Sequence, residues 1–258
     1  MIMKTYLFIA ALWCLSASGQ VVVESGLVER IETLPGDSAV VPLRLRNSGK
    51  DSVRCSLTIS DVVSKCDSGY TYLEPGSTAE SCSPWMLLET ENFELAPGEQ
   101  KMVKALLRIP SSYRRAGARS CILVNSAPLN EQQKKGAVKV RVRYAINFLY
   151  RNPTIAGVVA LHAQRLEMHK DRPFWALQYQ NQGDVDRIVR SHAQLLDQQG
   201  NVVYSQHSES ARGMMPNQCR TLRFPMPEIP AGTYHMVVLS ETDKGERFGM
   251  TKEVQWED

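Results

Sequence analysis

The chain has 258 residues, 43% of them hydrophobic and 22% charged, with 30 Lys and Arg against 27 Asp and Glu for a net charge of +3. So small an excess excludes a dedicated nucleic-acid binder, whose footprint is a concentrated basic surplus. The apolar share excludes a disordered chain, and the length suits two domains of ordinary size.

The first residues, "MIMKTYLFIAALWCLSASGQ", place Lys4 ahead of an apolar run from Tyr6 to Leu15, followed by Ser16-Ala17-Ser18-Gly19. A charged start, a short apolar core and small residues before a cut read as a secretory signal peptide over residues 1–19. The apolar run falls short of the about 20 residues that span a bilayer, and no later stretch reaches that length, so no membrane span is expected. Removing residues 1–19 from 258 leaves 239, and Lys4 leaves with them.

From Gln20 onward the segments are short and alternating, separated by turn residues, which is an all-β pattern. "AVVPLRLRNSG" carries Val41, Leu43 and Leu45 on one face and ends in Asn47-Ser48-Gly49. "SVRCSLTISDV" alternates Val53, Cys55, Leu57 and Ile59. A Gly, Ser and Pro-rich loop, "CDSGYTYLEPGSTAESC", follows, and then the strands "WMLLE", "FELAPGEQ", "KMVKALLRIP" and "SCILVNS". About seven strands over this length fit an immunoglobulin-like sandwich. Arg114, Arg115 and Arg119 in "RRAGARS" read as a solvated basic loop.

The first domain, residues 20–152, closes with "VKVRVRYAINFLYRNP". Val138, Val140, Val142, Tyr144, Ile146, Phe148 and Tyr150 fall on even positions, and Lys139, Arg141 and Arg143 on odd ones, so a strand over 138–150 has one apolar and one basic face. Its thirteen residues would span about 43 Å, well beyond an ordinary strand. Pro153 ends it, since proline cannot donate to a ladder. Residues 153–258 repeat the pattern: "FWALQYQNQGD" reads like "VPLRLRNSGKD", and "AQLLDQQGNVVYS" is a hairpin turning at Gly200-Asn201. The fold expected is two immunoglobulin-like β-sandwiches in tandem, with Trp85 and Trp175 in their respective cores.

Five cysteines follow the leader. In an oxidising compartment they are more often structural than catalytic, and the preferred pair is Cys66 with Cys82, with Cys55 and Cys121 either bridging or stacking across one sandwich, leaving Cys219 over. No Cys-x-x-Cys occurs and the five histidines are scattered, so neither a metal site nor a cofactor is expected. No nucleophile elbow, His-Glu-x-x-His or phosphate loop is present, and no enzymatic activity is expected.

"INFLYRNP", residues 146–153, resembles the segment that ends the first domain of periplasmic pilus (fimbrial) chaperones, where the run is Ile-Lys-Leu-Phe-Tyr-Arg-Pro. "LRNSGKDSVRCSLTISD" and "PWMLLETENFELAPGEQKMVKALLRIP" are similar to stretches of the same family, and the likeness covers mainly residues 20–153. It implies a non-catalytic periplasmic chaperone of pilus or surface-fibre subunits. Its partner would be a pilin-like or other secreted β-rich subunit, with an outer-membrane assembly protein as a further partner. The long strand would fill the subunit's open groove, backbone bonds giving affinity and alternate side chains entering it; here these are Val140, Val142, Tyr144, Ile146 and Phe148. In the family a lysine of this strand and an arginine of the first anchor the subunit's terminal carboxylate. The lysine position is Asn147 here, so the candidate anchors are Arg30, Arg143 and Arg151. A second reading, without chaperone activity, is an extracellular or surface-associated immunoglobulin-like module that binds a protein or a glycan.

Overall fold

A computed structural model describes residues 21–65, 69–129, 141–157, 161–168, 174–208, 212–225 and 229–256. The leader lies outside the described residues, as do Cys66 and Val138–Val140. The described chain is all-β apart from one 3-10 turn, Ser83–Trp85, and none of its helices is long and apolar enough to cross a membrane.

The first sandwich contains β1 (Val21–Val23), β2 (Val28–Glu32), β3 (Ser38–Asn47), β4 (Val53–Lys65), β5 (Gly69–Leu73), β6 (Met86–Leu88), β7 (Asn92–Leu95), β8 (Gln100–Arg108), β9 (Gly117–Pro128) and β10 (Tyr144–Arg151). One sheet runs β1-β3-β8-β6 and the other β2-β10-β9-β4-β5, with β7 also on β4. The second sandwich contains β11 (Leu161–Met168), β12 (Phe174–Asn181), β13 (Arg187–Leu196), β14 (Val202–His207), β15 (Arg212–Met214), β16 (Cys219–Pro225), β17 (Gly232–Thr242) and β18 (Arg247–Trp256). Its sheets run β11-β12-β16 and β14-β13-β17-β18, with β15 on β13. These are two immunoglobulin-like sandwiches in tandem. Among the described residues, no strand of one enters a sheet of the other.

Alternation places the cores. Val41, Leu43 and Leu45 of β3 face Val53, Cys55 and Leu57 of β4, and all are buried. Trp85 lies edge-on to Tyr113 at 4.6 Å and to Tyr150 at 5.8 Å, at one end of this core. Trp175, Leu177, Tyr179 and Phe224 fill the second core. Within the expected loop 66–82 the chain forms β5, because Asp61–Lys65 of β4 runs past its partner β9 and pairs with Gly69–Leu73 instead.

The repeat seen in sequence extends to atoms. Asn47 ends β3, and its buried amide donates to Asp51 O (2.8 Å) and Leu95 O (3.1 Å) while its Oδ1 accepts from Gly49 N (2.9 Å). Asn181 ends β12 and donates to Val185 O (2.8 Å) and Met214 O (3.0 Å), with Gly183 N on its Oδ1 (2.9 Å). A Pro-x turn abuts each asparagine: Gly98 N donates to Asn47 O, and Asn217 N to Asn181 O. Both turn residues have positive φ, 77° and 58°, a conformation open to Gly and tolerated by Asn. Each turn is closed by the side chain that follows, Glu99 on Ala96 N (2.7 Å) and Gln218 on Met215 N (2.8 Å). Asn181→Ala strands two buried carbonyls and an amide N–H, and Asn47→Ala one buried carbonyl, a part-buried one and an amide N–H, so each should cost its own domain about 2–4 kcal/mol, read from urea denaturation. A loss under about 0.5 kcal/mol at either site would mean that water replaces the amide there.

The cysteine pairing differs from expectation. Cys55, Cys82 and Cys121 are free and buried, whereas Cys219, the one left over in sequence, is disulfide-bonded. Cys55 projects from β4 into the first core, while Cys121 of β9 packs on the opposite face of its sheet beside Val62 and Leu149. The two therefore cannot bridge.

Candidate functional site

β10 is the strand that the sequence marks out, and its two edges differ. Along one edge all eight residues pair with β9, Tyr144↔Val124 through Arg151↔Gly117. Along the other, β2 lies parallel and covers only Asn147–Arg151. Asn147 N donates to Leu27 O at 2.9 Å, and ladder groups alternate in direction with period two. The main-chain groups of Ala145 and Arg143 therefore point to the side that β2 leaves bare. The side-chain amide of Asn147 caps the end of β2 there, 3.3 Å from Leu27 O and 3.5 Å from Ala145 O. Leu27, Val28 and Val142 are exposed around this stretch.

The inward face of β10 is already used. Ile146 and Phe148 are 0% exposed, and with Tyr150 they belong to the first sandwich's own core. Tyr144 packs partly against the same core. Ile146 and Phe148 thus do not reach outward as partner-binding side chains; the even face fills a sandwich, but the sandwich is this chain's own. Val142 is the expected partner-binding residue that stands clear, and Val140 lies outside the described residues. Arg141–Arg143 precede the strand, which begins at Tyr144 rather than 138.

The odd face looks the other way. Leu149 packs with Cys121, Leu123, Val62 and, from the second sandwich, Met215, forming an apolar seam between the domains. Around it lie polar ties. Arg119 Nη1 donates to Pro216 O, and Gln218 Nε2 donates to Tyr70 Oη at 2.7 Å. Arg119 is 5% exposed; it is a buried interdomain residue and no part of a solvated loop. Gly117 makes the approach possible, since a Cβ there would sit 2.9 Å from Asp184 O.

Two of the three candidate anchors converge, and on a residue that the sequence did not single out. Arg30 Nε lies 3.1 Å from Asp186 Oδ2, and Arg151 Nε lies 2.7 Å from Asp186 Oδ1. Arg151 Nη2 also donates to Asp186 O at 2.9 Å. β2 and β10 are adjacent and parallel, with Arg30↔Leu149 and Glu32↔Arg151 in register, which brings the two guanidinium groups to one spot. The Asp186 side chain is 3% exposed, so a carboxylate of the second domain occupies the arginine pair. The guanidinium of Arg151 is held above its ordinary range: burial opposes its charge, but Asp186 outweighs that. Arg143 is elsewhere, bonded to Asn125 Oδ1 at 2.6 Å on the outer surface of β9.

A second polar centre orders the Ser-rich segment between β5 and β6. Asp61 of β4 is fully buried. Its Oδ1 accepts from Ser81 and Ser83 Oγ, both at 2.6 Å, and from Ser120 Oγ at 3.1 Å; its Oδ2 accepts from Thr78 N at 2.9 Å. Burial pushes this carboxyl up, but the hydrogen bonds from Ser81, Ser83, Thr78 and Ser120 together hold it below its ordinary 3.8. Spacing gave no sign of this cluster, because its donors come from a loop and from β9.

No family model matches the chain, and no curated protein matches it. Among solved structures it is similar to the class 5 fimbriae chaperone CfaA, at 8% identity over 90% of this chain and 98% of that one, with a TM-score of 0.46. It is similar to the YadV chaperone at 12% identity over 91% and 100%, with a TM-score of 0.46. It is also similar to the CsuC–CsuE chaperone–tip adhesion subunit pre-assembly complex from archaic chaperone-usher Csu pili of Acinetobacter baumannii, at 13% identity over 90% and 97%, with a TM-score of 0.46.

Proposed function

We propose that this chain is a non-catalytic periplasmic chaperone that caps an incomplete β-sheet of a secreted subunit, pairing through the bare edge of β10 and the residues just before it. The observation that carries this reading is the half-covered strand: β2 ends its pairing at Asn147, and among the described residues no strand pairs with Arg143 or Ala145 on that side. Ladder bonds to such an edge supply affinity to any client strand. Val142, exposed just before the strand, offers apolar contact. The client contact is thereby shorter than residues 138–150 and moved toward the start of the strand. Arg30 and Arg151 act as a domain clamp rather than as the anchor of a client carboxylate.

The test uses Ala145→Pro. The bonds of β10 to β9 come from the even residues, so proline here keeps the strand in its own sheet and deletes one donor at the bare edge. Wild type, tagged at the C-terminus and purified from the periplasm of the native host, should carry a β-rich secreted protein near one to one. The variant should lose it while its melting curve stays unchanged. No bound protein, or one indifferent to the proline, would favour the second reading, a secreted immunoglobulin-like module. The burial of Ile146 and Phe148 in their own core is the observation on that side.

A further inference from the structure

The five histidines are scattered in sequence, yet two of them meet. His192 of β13 and His207 of β14 are directly opposed across the hairpin, and their rings stack with centroids 4.0 Å apart and planes 9° from parallel. Ser208 N donates to Ser191 O at 2.8 Å, so the neighbouring His192–His207 pair is of the non-hydrogen-bonded kind, in which facing side chains come closest. The rings sit in an open groove on the outer face of the sheet, with Arg190, Leu239, Glu241 and Phe248 beside them. Glu241 is engaged by Arg247 at 3.0 Å, and among the described residues neither imidazole has a carboxylate partner.

Two features equip the pair for a cation. The His207 side chain is exposed, so its ring has room to turn about its side-chain torsions toward the groove. Ser205 Oγ lies 2.7 Å from His192 Nε2; in the tautomer whose Nε2–H donates to that hydroxyl, Nδ1 carries the lone pair for the ion and the bond supports the ring as outer hydrogen bonds do around a metal. Two Zn–N bonds of about 2.0–2.1 Å in a tetrahedral site need nitrogens about 3.3 Å apart. In the stack the in-plane lone pairs of the two rings run parallel, so joint ligation requires the exposed His207 ring to leave the stack by rotation about its side-chain torsions until the lone pairs converge.

We propose that His192 and His207 form a two-imidazole site for a divalent transition-metal ion, on the outer face of the second sandwich and away from the bare edge of β10. The protein supplies two ligands and leaves the remaining positions to water or to a donor from another molecule. Imidazole selects ions such as Zn2+, Ni2+ and Cu2+ over Mg2+ and Ca2+.

The full chain, purified without a histidine tag, is titrated calorimetrically with ZnCl2 at pH 7.5 in a non-chelating buffer, beside His192→Gln and His207→Gln. The expected result is one ion per chain, with either substitution weakening affinity by at least about tenfold and MgCl2 giving no heat. Both positions are on the outer face of a hairpin, so melting curves of the metal-free variants should match wild type. Absence of Zn2+ heat in a folded wild type, or binding that both variants retain, overturns the proposal; the latter would place the ion at other histidines.

Discussion

Phe148→Asp should abolish cooperative folding of the first sandwich. Phe148 is 0% exposed in a core that includes Leu43, Leu45, Leu107 and Ile122. Truncating a buried phenylalanine alone costs about 3–5 kcal/mol, and an unpaired carboxylate in the space left adds several more. A domain's total stability is about 5–15 kcal/mol, so the sum exhausts it. Val142→Asp, on the same side of the chain but exposed, should shift stability by no more than about 0.5 kcal/mol. Circular dichroism melting of the two variants reads both outcomes. Phe148→Asp melting like wild type would remove Phe148 from the core and return it to the outward face that the resemblance implies.

Asp61→Asn should cost the first sandwich about 2–3 kcal/mol, because hydrogen bonds to a charged acceptor become bonds to a neutral one and one donor is stranded. With the amide oxygen at the Oδ1 position, where the hydroxyls of Ser81, Ser83 and Ser120 donate, the NH2 group faces the Thr78 N–H and leaves it without an acceptor. The sign with pH follows from the depressed carboxyl. The unfolded chain takes up the proton first as pH falls, so the stability that Asp61 contributes is full above about pH 3.8 and is lost as pH drops through its lower folded value. Wild-type stability should therefore fall more steeply below pH 4 than that of Asp61→Asn, and chemical denaturation at pH 5, 4 and 3 compares the slopes. Parallel slopes would mean that the cluster does not favour the charged form.

Strand alternation was legible wherever one face meets a core, as in Val41, Leu43 and Leu45, and so was the doubled Asn-x-Gly signal at Asn47 and Asn181. The same alternation could not say whose core receives the even face of β10. Periodicity reports that a face is buried and is silent on its partner; only the resemblance assigns Ile146 and Phe148 to a client, whereas both lie in this chain's own core. Arg30 and Arg151, two of the three candidate anchors, meet on Asp186, which was invisible in sequence because it lies 35 residues beyond Arg151 and only tertiary packing brings it close. The cysteines misled for a related reason. Compartment chemistry predicts bonds, but facing directions decide them, and Cys55 and Cys121 project from opposite faces of one sheet.

The three free thiols among the described residues of the first sandwich also make it self-reporting. Burial pushes Cys55 up to about 11, and Cys82 and Cys121 up to about 12; since the thiolate is the reacting form, an alkylating reagent finds them inert while the domain is closed. Cys219, the cysteine of the second sandwich, is bonded and does not compete. The rate at which iodoacetamide marks peptides containing Cys55, Cys82 and Cys121 is then a clock for the opening of one domain alone, readable by mass in an unmodified protein and with a client strand bound or absent.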